Sequence, residues 1–147
     1  MKKCFLFPFI ILFLSGCAAA PVITGAAVGE LAIREGAREE IAKKVVIGKL
    51  GTEVEIPGSY FRRLEVVRKS LSDADEFPLR VEGKKYKAFV QYLDVGTFRD
   101  KLRVVIVSPS TSKIRIWGGK TYGRFIVSED PLLEKDVVEE IKCQLKK

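Results

Sequence analysis

The sequence predicts an α+β fold: an antiparallel sheet of three to five strands with packed helices, in the order β-α-β-β-β-α, preceded by an N-terminal helix. Three observations predict it. Apolar residues recur every four positions between residues 31 and 50, and again at Leu133, Val137, Ile141 and Leu145. Between those stretches, apolar residues alternate with polar ones or run in β-branched blocks. Turn-forming residues divide the blocks at the short spacing of an antiparallel meander. With 147 residues, 47% hydrophobic and 31% charged, the chain has enough material for one modest core.

In the N-terminal helix over 31–50, Ile33, Ala37, Ile41 and Val45 form the apolar stripe. Glu30–Arg34, Glu39–Lys43 and Glu40–Lys44 add i,i+4 pairs in the favourable orientation. Gly48 and Gly51 end it. Thr52 to Ile56 alternates as a short strand, and Pro57-Gly58 breaks it. Ser59 can cap a helix that carries Tyr60, Leu64, Val67 and Leu71 on one side, with a strand through Leu64 and Val66 as the second reading. The run Ser72-Asp73-Ala74-Asp75-Glu76 with Pro78 reads as a turn. Strands follow at Tyr86–Leu93, Leu102–Val107 and Ile114–Trp117, the last ended by Gly118-Gly119, with a further short one at Phe125–Val127. Asp130 as N-cap and Pro131 at the first helical position start the closing helix. Its helical register places Cys143 opposite Ile141, on the side that faces water. Both faces of the sheet carry apolar residues. The helices Ser59–Leu71 and Pro131–Leu145 are expected to cover one face, and Leu31–Leu50 or a partner the other.

The first residues have a different character. Met1-Lys2-Lys3 is a basic start, and Phe5 to Leu14 is an apolar run. A spanning helix needs about 20 apolar residues, so this run is too short to remain as a transmembrane anchor. Leu14-Ser15-Gly16-Cys17 then resembles the lipobox of bacterial lipoproteins. The resemblance implies that residues 1–16 are a lipoprotein signal peptide and that Cys17 carries diacylglycerol on its sulfur. A further acyl chain of the palmitate kind on the mature amino terminus would make the anchor stable where a single chain gives only marginal binding. Residues 17–30 are then a lipidated tether, and 31–147 a single domain that includes the helix 31–50. Ala18, in place of a retention-type Asp, points to the outer membrane, with the domain in the periplasm. The stretch from Thr52 to Leu145, with its Ile56-Pro57-Gly58-Ser59 helix start, three strands, Gly-rich stretch and closing helix, is similar in pattern to a family of small uncharacterised bacterial lipoproteins. That similarity implies the fold and no activity.

Several chemistries are set aside. The chain has no His, which excludes His-dependent triads and His-ligated metals. Gly118-Gly119-Lys120-Thr121 ends like a P-loop, but Ile114 stands where the first glycine is needed, so a glycine turn between strands is expected. Ser110-Thr111-Ser112-Lys113 matches S-x-x-K of the penicillin-recognising enzymes without their other two motifs, and reads as a polar hairpin loop. The carboxylates from Asp73 to Glu76 lack the Gly and Glu of a calcium loop, since Pro78 and Lys84 hold those positions. No metal, cofactor or catalytic group is therefore assigned, and the chain is expected not to be an enzyme.

Charge leaves one candidate site. The formal charge is +7, and removal of Lys2 and Lys3 with the signal lowers it by two. Lys84, Lys85 and Lys87, with Lys113, Arg115, Lys120 and Arg124, are the candidate anion-binding residues, with Tyr86, Trp117 and Tyr122 among them. Export argues against nucleic acid and leaves a lipid headgroup or a glycan phosphate. Cys4 would leave with the signal and Cys17 would be lipidated. Cys143 then remains as the only thiol, a candidate for an intermolecular disulfide and a homodimer. Two functions follow as expectations. The first is a non-catalytic envelope component that binds a partner protein or assembly. The alternative is a binding module for an anionic envelope ligand.

Overall fold

Eight elements follow one another in the computed structural model after a first helix, α1, whose helical residues are 35–47. They are β1 (Thr52–Glu55), α2 (Tyr60–Ser70), β2 (Asp75–Val81), β3 (Lys84–Val95), β4 (Arg99–Val107), β5 (Lys113–Tyr122), β6 (Phe125–Glu129) and α3 (Pro131–Leu145). The structure describes residues 35–48, 50–96 and 99–147. The expected signal peptide 1–16, Cys17, the expected tether 17–30 and the first residues of the helix expected from 31 lie outside them. Gly36–Lys147 forms one compact unit.

The fold is α+β, and all six strands pair antiparallel. The strand order is β1-β5-β4-β3-β2, and β6 also pairs with β5. β1 lies against Thr52↔Ile116 to Glu55↔Lys113, and β6 against Gly119↔Glu129 to Tyr122↔Phe125. These two short strands therefore divide one edge of β5 between them.

The sheet is buried on both faces. On one, α2 and α3 pack Leu64, Val67, Val137 and Ile141 against Phe89, Val105, Ile114 and Ile116. On the other, α1 packs Ile41, Ala42 and Val45 with Val90, Leu102, Val104 and Trp117. This is the arrangement the sequence predicts, with α1 as the cover of the second face. Both later helices start as their sequences dictate. The Ser59 hydroxyl accepts from the Arg62 amide at 3.2 Å, and the Asp130 carboxylate from the Leu132 amide at 3.1 Å.

Two local readings need correction. The expected turn over residues 72–76 and Pro78 is shorter: the chain turns at Ser72 and Asp73, whose φ is 57°, and Asp75, Glu76 and Pro78 already belong to β2. Pro78 is tolerated because β2 is an edge strand, where a missing amide leaves no second ladder unpaired. Glu82 and Gly83, both at positive φ, then close a two-residue hairpin into β3. The second correction concerns Gly118-Gly119, which lie inside β5 and form no turn. A Cβ on Gly118 would stand 2.6 Å from that of Leu133, and one on Gly119 would overlap the Ser128 carbonyl and the Trp117 ring. These glycines exist for the close approach of α3 and β6.

Candidate anion-binding site

Side chains alternate across a strand, so the basic residues of β3 divide between the two faces. Lys84 projects on the α1 face, and Lys85 and Lys87 on the other. Lys113 and Arg115 of β5 share the α1 face with Lys84. The three line a cavity of about 370 Å³ beyond the C-terminal end of α1, together with Ser108, Ser110 and Thr111 from the loop between β4 and β5. The S-x-x-K segment thus forms a wall of this cavity.

Arg115 is already engaged. Its guanidinium donates to the Leu50 carbonyl at 2.8 Å and the Gly48 carbonyl at 3.3 Å, and pairs with Glu53 at 3.0 Å. It closes the end of α1 onto the sheet and leaves little charge for a ligand. Lys84 and Lys113 are exposed, and among the described residues neither ammonium has an ion-pair partner. Glu53 is the one carboxylate lining the cavity. The Thr111 hydroxyl donates to the Lys113 carbonyl at 3.3 Å and those of Ser108 and Ser110 bond each other, so the two ammonium groups are the main donors open to an anion there.

The loop is held from below by Arg63, a residue outside the candidate set. Arg63 is 4% exposed, and donates to the Gly58 carbonyl at 2.7 Å and the Ser108 carbonyl at 3.2 Å. The Ser108 and Ser110 hydroxyls lie 3.0 Å apart. The sequence shows Arg63 only as one of a basic run. Its burial depends on helix register together with the position of a loop 45 residues away.

The remaining candidates lie elsewhere. Lys85 and Lys87 line a second, shallow cavity of about 630 Å³ on the other face, with Arg80, Tyr60, Pro78 and Pro109. Lys87 is partly neutralised there by Glu76 at 3.3 Å. Lys120 and Arg124 sit at the far end of the sheet, and Arg124 approaches Glu40 at 3.7 Å. The carboxylates around Asp75 serve structure: Asp75 pairs with Arg38 at 2.8 Å, and Glu76 with Arg68 and Lys87. The Arg68 guanidinium, and then Lys87, hold the Glu76 carboxyl below its usual range. Cys143 is a free, exposed thiol, as its helical register predicts. Among the described residues no group of His, Cys, Asp and Glu side chains is placed to hold a metal, and no helix is long and apolar enough to cross a membrane. No family model, curated protein or solved structure matches the chain.

Proposed function

We propose that this chain is a lipid-anchored, non-catalytic protein of the bacterial envelope, facing the periplasm, whose domain binds an anionic envelope ligand through the cavity of Lys84 and Lys113. The observation that carries the reading is the pair of unneutralised ammonium groups facing one hydroxyl-lined cavity. The ligand chemistry is a phosphate group, on a lipid headgroup or on a glycan. The anchor follows from the lipobox at Cys17, and tethering would hold the cavity close to such ligands at high effective concentration. Between the two expected functions, ligand binding has the better support, because two ammonium groups without an ion-pair partner among the described residues line one cavity.

Titrating the mature protein with inorganic phosphate while following backbone amide shifts tests the binding. Shifts should concentrate between Ser108 and Lys113, weaken as salt rises, and vanish in Lys84→Ala/Lys113→Ala. Shifts spread evenly over all basic surfaces, or unchanged in the double variant, would refute the site. Mass measurement of protein isolated from membranes tests the anchor: the chain should begin at Cys17 with acyl mass added, and Cys17→Ser should lack it.

A further inference from the structure

The end of the sheet opposite the cavity has a composition of its own. Five of the eight large apolar side chains exposed among the described residues lie there: Leu93, Val95, Tyr122, Phe125 and Val127. Phe125 is 69% exposed and Val127 58%. Register brings them together. Arg99 stands opposite Tyr122, and Tyr122 opposite Phe125, in one row across β4, β5 and β6, with Val95 beside it on β3. Both hairpin tips, β3–β4 and β5–β6, therefore end at this place.

The same end is basic. Lys101 and Lys120 are directly opposed across β4 and β5, a like-charge pair that costs stability unless an anion lies nearby. Arg99 and Arg124 flank them. Carboxylates reach only part of this charge: Asp94 stands opposite Lys101 across β3 and β4, Asp130 lies 3.9 Å from Lys101, and Glu40 lies 3.7 Å from Arg124. Aromatic rings between cations suit the level of lipid headgroups, where a ring meets acyl chains on one side and phosphate on the other.

The direction of α1 supplies the independent observation. Asp75, opposite Val90 and so midway along β3, pairs with Arg38, and the first half of the helix meets the apolar, basic end through Glu40, 3.7 Å from Arg124. Its last residues reach the opposite end, beside Lys84 and Lys113. A chain arriving from Cys17 through residues 18–35 thus enters the compact unit at the apolar, basic end. At about 3.4 Å per residue those positions reach at most about 60 Å from the anchor.

We infer that this end rests on the anionic bilayer that carries the lipid anchor, with Phe125 and Val127 at headgroup level and Lys120 and Arg124 on lipid phosphates. The cavity of Lys84 and Lys113 then faces away from that bilayer. The inference rests on the anchor proposed above, and it leaves a glycan phosphate, not a headgroup of the anchoring bilayer, as the ligand of the cavity.

Acylated protein carrying Cys143→Ser, reconstituted in vesicles of phosphatidylethanolamine and phosphatidylglycerol, tests it. An environment-sensitive fluorophore is attached at Val127→Cys or, at the opposite end, at Lys85→Cys. The Val127 probe should shift to the blue and lose about half its intensity or more to a quencher carried on the lipid, while the Lys85 probe stays in water. Adding Lys120→Glu and Arg124→Glu should reverse the Val127 signal with the protein still on the vesicles. Equal quenching at the two positions, or none at Val127, overturns the orientation. A blue shift at Val127 that lipid quenchers do not touch means that a second copy or another protein covers this end, and overturns it too. A Cys17 without acyl mass is seen before any fluorescence is read, and overturns the anchor reading together with this one.

Discussion

Arg115 donates to the carbonyl of Leu50 at 2.8 Å, and by that bond a residue of the central sheet closes the end of the first helix. The same guanidinium reaches Gly48 and Glu53. Arg115→Ala should therefore destabilise the domain by about 1–3 kcal/mol in urea unfolding, since carbonyls lose a charged donor. Lys84→Ala, in the same cavity, should change stability by less than about 0.5 kcal/mol. Equal effects would mean that Arg115 has no structural role there.

Gly118→Ala should cost about 1–3 kcal/mol, because the new methyl would stand 2.6 Å from the Leu133 Cβ and push α3 off the sheet. Gly36→Ala is the control: a Cβ there meets nothing within 4 Å, and the unfolding midpoint should hold or rise.

Removing the chain through Gly48 should uncover Leu102, Val104 and Trp117, which α1 now buries. The truncated protein should bind a hydrophobic dye and aggregate, while a protein that keeps α1 does neither. Light scattering and dye fluorescence read the difference.

Glu76 links stability to pH. Its carboxyl is held below the usual value by the Arg68 hydrogen bond first and by Lys87 after it. A depressed folded pKa contributes stability that is present above the unfolded value and lost as pH falls through the folded one. Glu76→Gln should therefore lower stability at pH 7 by about 0.5–1 kcal/mol, and the gap to the parent should close below the ordinary carboxylate range. A gap that is constant with pH would assign the effect to packing.

Cys143 is exposed, so a thiol reagent should label it in the native protein at a rate close to that of the denatured chain. Oxidation of protein that begins at residue 18 should give a dimer band on non-reducing gels that Cys143→Ser abolishes. Labelling only after denaturation would contradict the helical register of α3.

The closing helix was legible because Asp130-Pro131 and the stripe from Leu133 to Leu145 agree with each other. Strand β2 was not, because Pro78 and three acidic residues carry turn chemistry that an edge strand tolerates. The full length of β5 was hidden by glycines whose reason lies in α3 and β6, elements distant in space until the chain folds. The candidate site was legible only as a set of residue types. Lys84 and Lys85 are neighbours in sequence and face opposite ways, so one cluster on paper becomes two surfaces. Of the five apolar residues at the far end only Tyr122 stood out, as a ring among basic residues; the others read as ordinary strand positions, which are expected to be buried.

The division of one β5 edge between β1 and β6 has a consequence for assembly. Thr52 pairs with Ile116, so the first strand finds its partner only when the fifth is present. A chain delivered N-terminus first, from a ribosome or through a membrane pore, holds β1 idle while four more strands emerge. The hairpins β2–β3 and β3–β4 can close early from local contacts, and β1 must be the last long-range closure of the sheet. Until then Val54 and the strand's backbone stay open, and any factor that escorts the chain during delivery would find its handle there.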